Sequence, residues 1–280
     1  MNVPRPLGCP PTTGLGGGAW LVIGWLITGY PASSHALSVE PTVVELRAAT
    51  GAQASGVFHV FNDAEEPATI LVEPQPISTA SYGKRPPQDW LTLSPSTLTL
   101  APKQKGAVSY RVRVPSDTSG ELAAEVVFVQ NLSGTAASGV QVRFGMALYV
   151  SVTGTERLQL LVEPLRLQGA HPPSVLVPIT NQGNVHCRPE GSVVVTGDKG
   201  AAIAHGTLSR GMPAPPGQTA HFTVPLSEAD LPPGTYQLQL DLRCRATADL
   251  PARWTVEQTG RLDETGQWIP AHDAAAIHDS

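Results

Sequence analysis

Helical periodicity is missing from this 280-residue chain: nowhere do apolar positions recur at three- and four-residue spacing over a helix-length run. That excludes helical bundles and alternating strand–helix architectures. Charge is also scarce, at 15 % of residues, and its balance is acidic, with a formal net charge of −5. Without a basic stripe, nucleic acid and an anionic membrane surface are poor partners. There is no G-x-S-x-G, no phosphate loop, no Cys-x-x-Cys and no recognisable Ser/His/Asp set, so the chain does not read as an enzyme. Aromatics, at 5 %, are too few for the exposed cluster of a carbohydrate-binding module. His186 adjoins Cys187, but together with His171, His205 and His221 it shows no ligand spacing within a strand, so neither a metal nor a cofactor is expected.

What the chain has in quantity is glycine and proline, 27 of each, between short apolar runs. This is an all-β composition. The N-terminus reads as an export signal over residues 1–36. Ala19 to Tyr30 is apolar, and PASSHA follows with small residues at Ser34 and Ala36, the spacing a signal peptidase accepts. The apolar run is shorter than the ~20 residues needed to span a bilayer, which sets the alternative of an anchor aside. Cys9 precedes the apolar run and is not placed to become a lipidated terminus. Removing Arg5, the leader's one formal charge, takes the net charge from −5 to −6. The expected location is the periplasm or the cell envelope.

By length the remainder holds two domains. We expect the first over residues 37–154 and the second over 155–262, parted at the polar stretch Thr153-Gly154-Thr155-Glu156-Arg157. A polar tail, 263–280, is expected to be disordered, with Trp268-Ile269 a possible docking patch. In the first domain strands are predicted over Thr42–Arg47, Gly56–Asn62, Ala68–Glu73, a proline-bracketed stretch 90–115 and Gly120–Gln130, with a long loop over Ser78–Gln88. Seven or so short strands with this turn spacing indicate an immunoglobulin-like sandwich in each domain.

The most informative stretch is VQVRFGMALYVSV, where Val140, Val142, Phe144, Met146, Leu148, Val150 and Val152 alternate with Gln141, Arg143, Gly145, Ala147, Tyr149 and Ser151. A period of two marks a strand. At ~3.3 Å per residue it would reach roughly 40 Å, about twice the common length. Two readings of the even row stay open: it is the strand's own core face, or part of it is a surplus that another chain covers. An uncovered surplus would be an aggregation hazard.

The order of a first strand, a V-x-N strand (Val60, Asn62), a P-x-x-L-x-L-x-P element (Pro95, Leu98, Leu100, Pro102), an alternating strand ending in Pro115 and a long last strand resembles the N-terminal domain of periplasmic pilus-assembly chaperones of the PapD-like type, over about residues 37–153. The resemblance implies that the last strand is lent to a strand-deficient fibre subunit, its alternating apolar side chains filling the subunit's groove. It also implies a basic pair that holds the subunit's terminal carboxylate. Here Val43 and Ala147 fall at those two positions, so the pair is not carried over. The second domain, with Ile179-Thr180-Asn181 and Pro233-Gly234-Thr235-Tyr236, is similar to generic bacterial immunoglobulin-like modules.

Cys187 and Cys244 are the two cysteines beyond the leader. In an exported chain they suggest a disulfide between strands of opposite sheets, with unpaired thiols the alternative. The reading as a whole is a chaperone-like binding protein without a cofactor. Its expected partner is a strand-deficient pilus or surface-fibre subunit, with no nucleic acid and no stable membrane insertion. The alternative is a non-catalytic structural or adhesive envelope protein.

Overall fold

The computed structural model describes residues 37–77, 82, 85–132, 140–169, 172–227, 231–245, 251–271 and 275–279. The segment 1–36, expected to be an export signal, lies outside the described residues, as do parts of the loop predicted over Ser78–Gln88 and the turn predicted at 133–139. Among the described residues no helix is long and apolar enough to cross a membrane.

The chain is all-β, built as two immunoglobulin-like sandwiches. The first holds β1 (Leu37–Glu40), β2 (Val43–Ala48), β3 (Gln53–Asn62), β4 (Ala68–Pro76), β5 (Leu91–Ser94), β6 (Thr97–Leu100), β7 (Lys105–Arg113), β8 (Glu121–Leu132) and β9 (Val140–Val152). Its sheets have the orders β1-β3-β7-β5 and β2-β9-β8-β4-β6. The predicted strand Thr42–Arg47 corresponds to β2, and a further strand, β1, precedes it: the chain pairs with β3 up to Glu40, passes Pro41, then crosses to the other sheet and runs parallel to β9 from Val43.

Alternation dictates the core. Phe58 and Val60 of β3, Val108 and Val112 of β7, and Ala124, Val126 and Phe128 of β8 point inward and are fully buried. Phe58 centres an aromatic group, 5.2 Å from the Tyr110 ring and 5.7 Å from that of Phe128. Tyr110 has room because its strand neighbour is Gly56, where a Cβ would lie 2.2 Å from the tyrosine hydroxyl. Asn62, from the V-x-N element, is buried and fastens the turn after β3. Its Nδ2 donates to the carbonyls of Glu66 (2.8 Å) and Ala101 (3.1 Å), and its Oδ1 accepts from the Ala64 N–H.

The second sandwich holds β10 (Leu160–Val162), β11 (Arg166–Gln168), β12 (Ser174–Asn181), β13 (Pro189–Gly197), β14 (Ala202–Leu208), β15 (Thr219–Pro225), β16 (Gly234–Arg245), β17 (Pro251–Leu262), β18 (Trp268–Pro270) and β19 (Ala275–Asp279). Strands β10, β11 and β15 flank β12, and β14-β13-β16-β17-β18 form the facing sheet, with β19 also on β17. Its core, separate from the first, centres on Leu165, Leu167, Val177, Ile179, Val193, Leu238, Leu240 and Leu242. Asn181 repeats the device of Asn62, donating to the carbonyls of Val185 and Ala214 at 2.9 Å each and accepting from the Gly183 N–H.

Two expectations need correction. The tail expected to be disordered is, among its described residues, a turn and two short strands: Asp263 accepts from the N–H groups of Thr265 and Gln267, turning the chain so that Trp268–Pro270 pairs back on β17. Trp268 packs over Gly260, where any Cβ would collide with its ring, so it is a buried part of the second core and not a docking patch. The disulfide Cys187–Cys244 is formed, but within one sheet's surroundings and not across the sandwich. Cys244 is on β16, opposite Pro189 of β13, and Cys187 is two residues before Pro189. Their Cα atoms are 6.0 Å apart, an ordinary span for the bond.

Candidate partner-binding edge

Strand β9 meets β8 along its whole length, from Leu132↔Val140 to Glu121↔Ser151. On its other side β2 covers only the second half, from Val43↔Ala147 to Ala48↔Val152. The first half, up to Met146, therefore has no strand on that side among the described residues. The Ala147 N–H donates to the Thr42 carbonyl on the covered side. Because peptide directions alternate, the N–H and C=O groups of Gln141, Arg143 and Gly145 point the same way and present an open ladder.

The side chains divide at the same place. Met146, Leu148, Val150 and Val152 are buried in the first core. They are thus the protein's own packing, and as partner-binding residues these four are not available in this structure. Phe144 is half-buried at the rim of the core, and Val142 is half-buried beyond it. For Val140 the backbone pairing is described and the side chain is not. Of the seven candidates, only the N-terminal members lie on the open edge. On the opposite face of the strand Arg143 approaches Glu73 at 3.7 Å. The Glu125 side chain fills the space where a Cβ on Gly145 would stand.

Val43 and Ala147, the positions where a carboxylate-holding basic pair would sit, are register partners at the point where the covered and open halves meet. Val43 is exposed. Two cations of the second sandwich lie beside Val43. Arg188 Nε is 3.0 Å from Glu45 Oε1, Arg210 Nη2 is 3.5 Å from Glu45 Oε2, and these residues with Val43 and Gly211 line a small open pocket.

Behind that pocket is a cluster that sequence reasoning missed. His186 has a side chain only 6 % exposed and reaches Glu121 of β8, itself 1 % exposed, with Nδ1 2.7 Å from Oε1. The backbone N–H of His186 donates to the other oxygen of the same carboxylate at 3.1 Å. Its Nε2 lies 3.4 Å from Glu45 Oε1, and its ring packs at 4.1 Å on Tyr149 of β9. Burial opposes a charge on His186, but the hydrogen bonds to Glu121 and then Glu45 outweigh it and hold its pKa above the ordinary value of 6.5. The His186 hydrogen bond, opposed by burial and helped by Arg188, draws Glu45 down to about 2. No local pattern announces this cluster, since its members are 65 and 141 residues apart.

No protein-family model matches the chain, and no curated protein matches it. Among solved structures it is similar to the class 5 fimbriae chaperone CfaA, at 11 % identity over 88 % of this chain and 99 % of that one, with a TM-score of 0.45. It is also similar to a chain in the Salmonella enterica SafA pilin–SafB chaperone complex (13 % identity, 88 % and 96 % covered, TM-score 0.41) and to the E. coli chaperone DraB (14 % identity, 88 % and 96 % covered, TM-score 0.40). At these identities and TM-scores the likeness is one of general architecture and does not bear on partner or site.

Proposed function

We propose that the protein is a periplasmic chaperone-like binder that caps a strand-deficient pilus or surface-fibre subunit, and that it does so with the N-terminal half of β9. The observation that carries this reading is the open ladder at Gln141, Arg143 and Gly145 beside the half-buried Val142 and Phe144. An incoming strand would gain main-chain hydrogen bonds from the ladder and apolar contact from the even residues, the two components of strand addition. It would stop where β2 begins. At Val43 and Ala147 it would meet no basic couple, so binding would rest on backbone pairing and apolar contact.

The test is amide exchange on the chain alone and after co-expression with a strand-deficient fibre subunit. The N–H groups of Gln141, Arg143 and Gly145 should exchange fast in the free chain and slowly in the complex, with those of Leu148 and Val150 slow in both. Unaltered exchange at the first three in a purified complex would contradict strand addition at this edge.

A second reading, a non-catalytic structural or adhesive envelope protein, draws support from the burial of Met146, Leu148, Val150 and Val152 at home, which removes half of the row from any partner.

A further inference from the structure

We propose that His186 is a proton-operated latch between the two sandwiches, clasped by Glu121 and Glu45 of the first. The proposal goes beyond strand donation and stands or falls independently of it.

The joint between the sandwiches is polar and narrow. The two cores are separate, and among the described residues no strand of one lies along a strand of the other. Contact is carried by the connecting stretch 153–157, by the segment from Asn184 to Arg188 and by Arg210, which reaches Glu45. Asn184 Nδ2 donates to the Thr155 carbonyl (2.8 Å), its Oδ1 accepts from the Arg157 N–H (2.6 Å), and Arg47 pairs with Glu156 at 3.0 Å. These bonds tie the connection to both sides without depending on pH near neutrality. His186 is different, because it is a side chain of the second sandwich buried against carboxylates of the first.

The groups that face it can be named element by element. From β8 comes the Glu121 carboxylate, from β2 the Glu45 carboxylate, and from β9 the Tyr149 ring, against which Tyr82 also packs at 5.9 Å between centroids. From its own segment Arg188 binds Glu45 and lies 5.7 Å from the centre of the Tyr149 ring, and Arg210 binds the other oxygen of Glu45. Both arginines are engaged on Glu45. Besides His186, the Glu121 carboxylate accepts from the Ser151 hydroxyl, a neutral group, at 3.4 Å. The buried Glu121 charge thus has His186 as its counter-ion, and a buried charge without one is strongly disfavoured.

Protonated, the imidazole donates from both nitrogens, to Glu121 and to Glu45. Neutral, it keeps a proton on Nδ1, because the facing carboxylate can only accept. Its Nε2 lone pair then faces the Glu45 carboxylate, and Glu121 is left buried without a compensating charge. Separating the sandwiches rehydrates both carboxylates. Loss of one proton therefore shifts the joint from closed towards open.

Small-angle scattering of the full mature chain, with NMR titration of its histidine rings, tests this between about pH 5.5 and about pH 9. His186 should titrate above the ordinary histidine value of 6.5, and the distance distribution should broaden with a midpoint at the His186 titration. In Glu121→Gln, which keeps the shape of the side chain, that titration should fall towards the ordinary histidine value and the pH-dependent broadening should disappear; His186→Asn should likewise remove the broadening. A distance distribution that stays the same across the range in the parent, or broadens equally in both variants, would overturn the latch.

Discussion

At the scale of single residues, the buried ionic cluster has the largest consequence. Removing one member of a buried pair leaves the other charge unpaired, which typically costs about 3–5 kcal/mol. His186→Ala is therefore expected to destabilise the chain by that order through the stranded Glu121 carboxylate, measured by urea unfolding near neutral pH. Protonation sets a direction as well. Because the folded pKa of His186 is raised above 6.5, its contribution is complete below that value and is lost as pH rises through the raised one. Glu45 is drawn from 4.5 to about 2, so its contribution holds above 4.5 and is lost as pH falls through about 2. For these two groups together the favourable window is 4.5 to 6.5. Unfolding free energies measured at about pH 5.5 and about pH 9 should differ more in the parent than in His186→Asn. Equal differences would mean that other groups set the pH dependence.

At the scale of elements, the disulfide and β9 make separate predictions. Cys187 and Cys244 close a loop of 57 positions, for which the chain-entropy account gives about 4 kcal/mol. Reduction should lower the melting temperature of the second sandwich while the first, which has no cysteine among its residues, keeps its own transition. Along β9 the even row is one sequence pattern with two structural fates. Leu148→Asp would place a charge in a fully buried site and should abolish folding of the first sandwich. Val142→Asp, at the half-buried end, should leave the melt nearly unaltered.

The division of β9 also marks how far the sequence was legible. Alternation is local, so the β-sheet plan, the common face of Val108, Tyr110 and Val112 on β7, and the length of β9 could be read directly from the residues. Where β2 stops covering β9 is a register between residues about a hundred positions apart, and no spacing within either strand encodes it. The tail was misread for a related reason. Polar residues around Asp263 looked like an end, although Asp263, Gly266 and Trp268 form a turn and a ring that fits Gly260 only once β17 is in place.

At the scale of the whole molecule, β9 carries the open edge at Gln141, Arg143 and Gly145, then Ala147 opposite Val43 of β2, and further along Tyr149, on which the His186 ring packs. The proposed partner edge and the proposed latch thus both touch one element. The most direct test of the central claim is capture of a strand-deficient fibre subunit by the tagged chain, beside the variant Val142→Asp, with a thermal melt of each. Strand addition predicts that the parent retains the subunit and that the variant loses it while melting within a few degrees of the parent. Equal retention by a folded variant, or no retention by the parent, would contradict it and leave the structural envelope role as the better account.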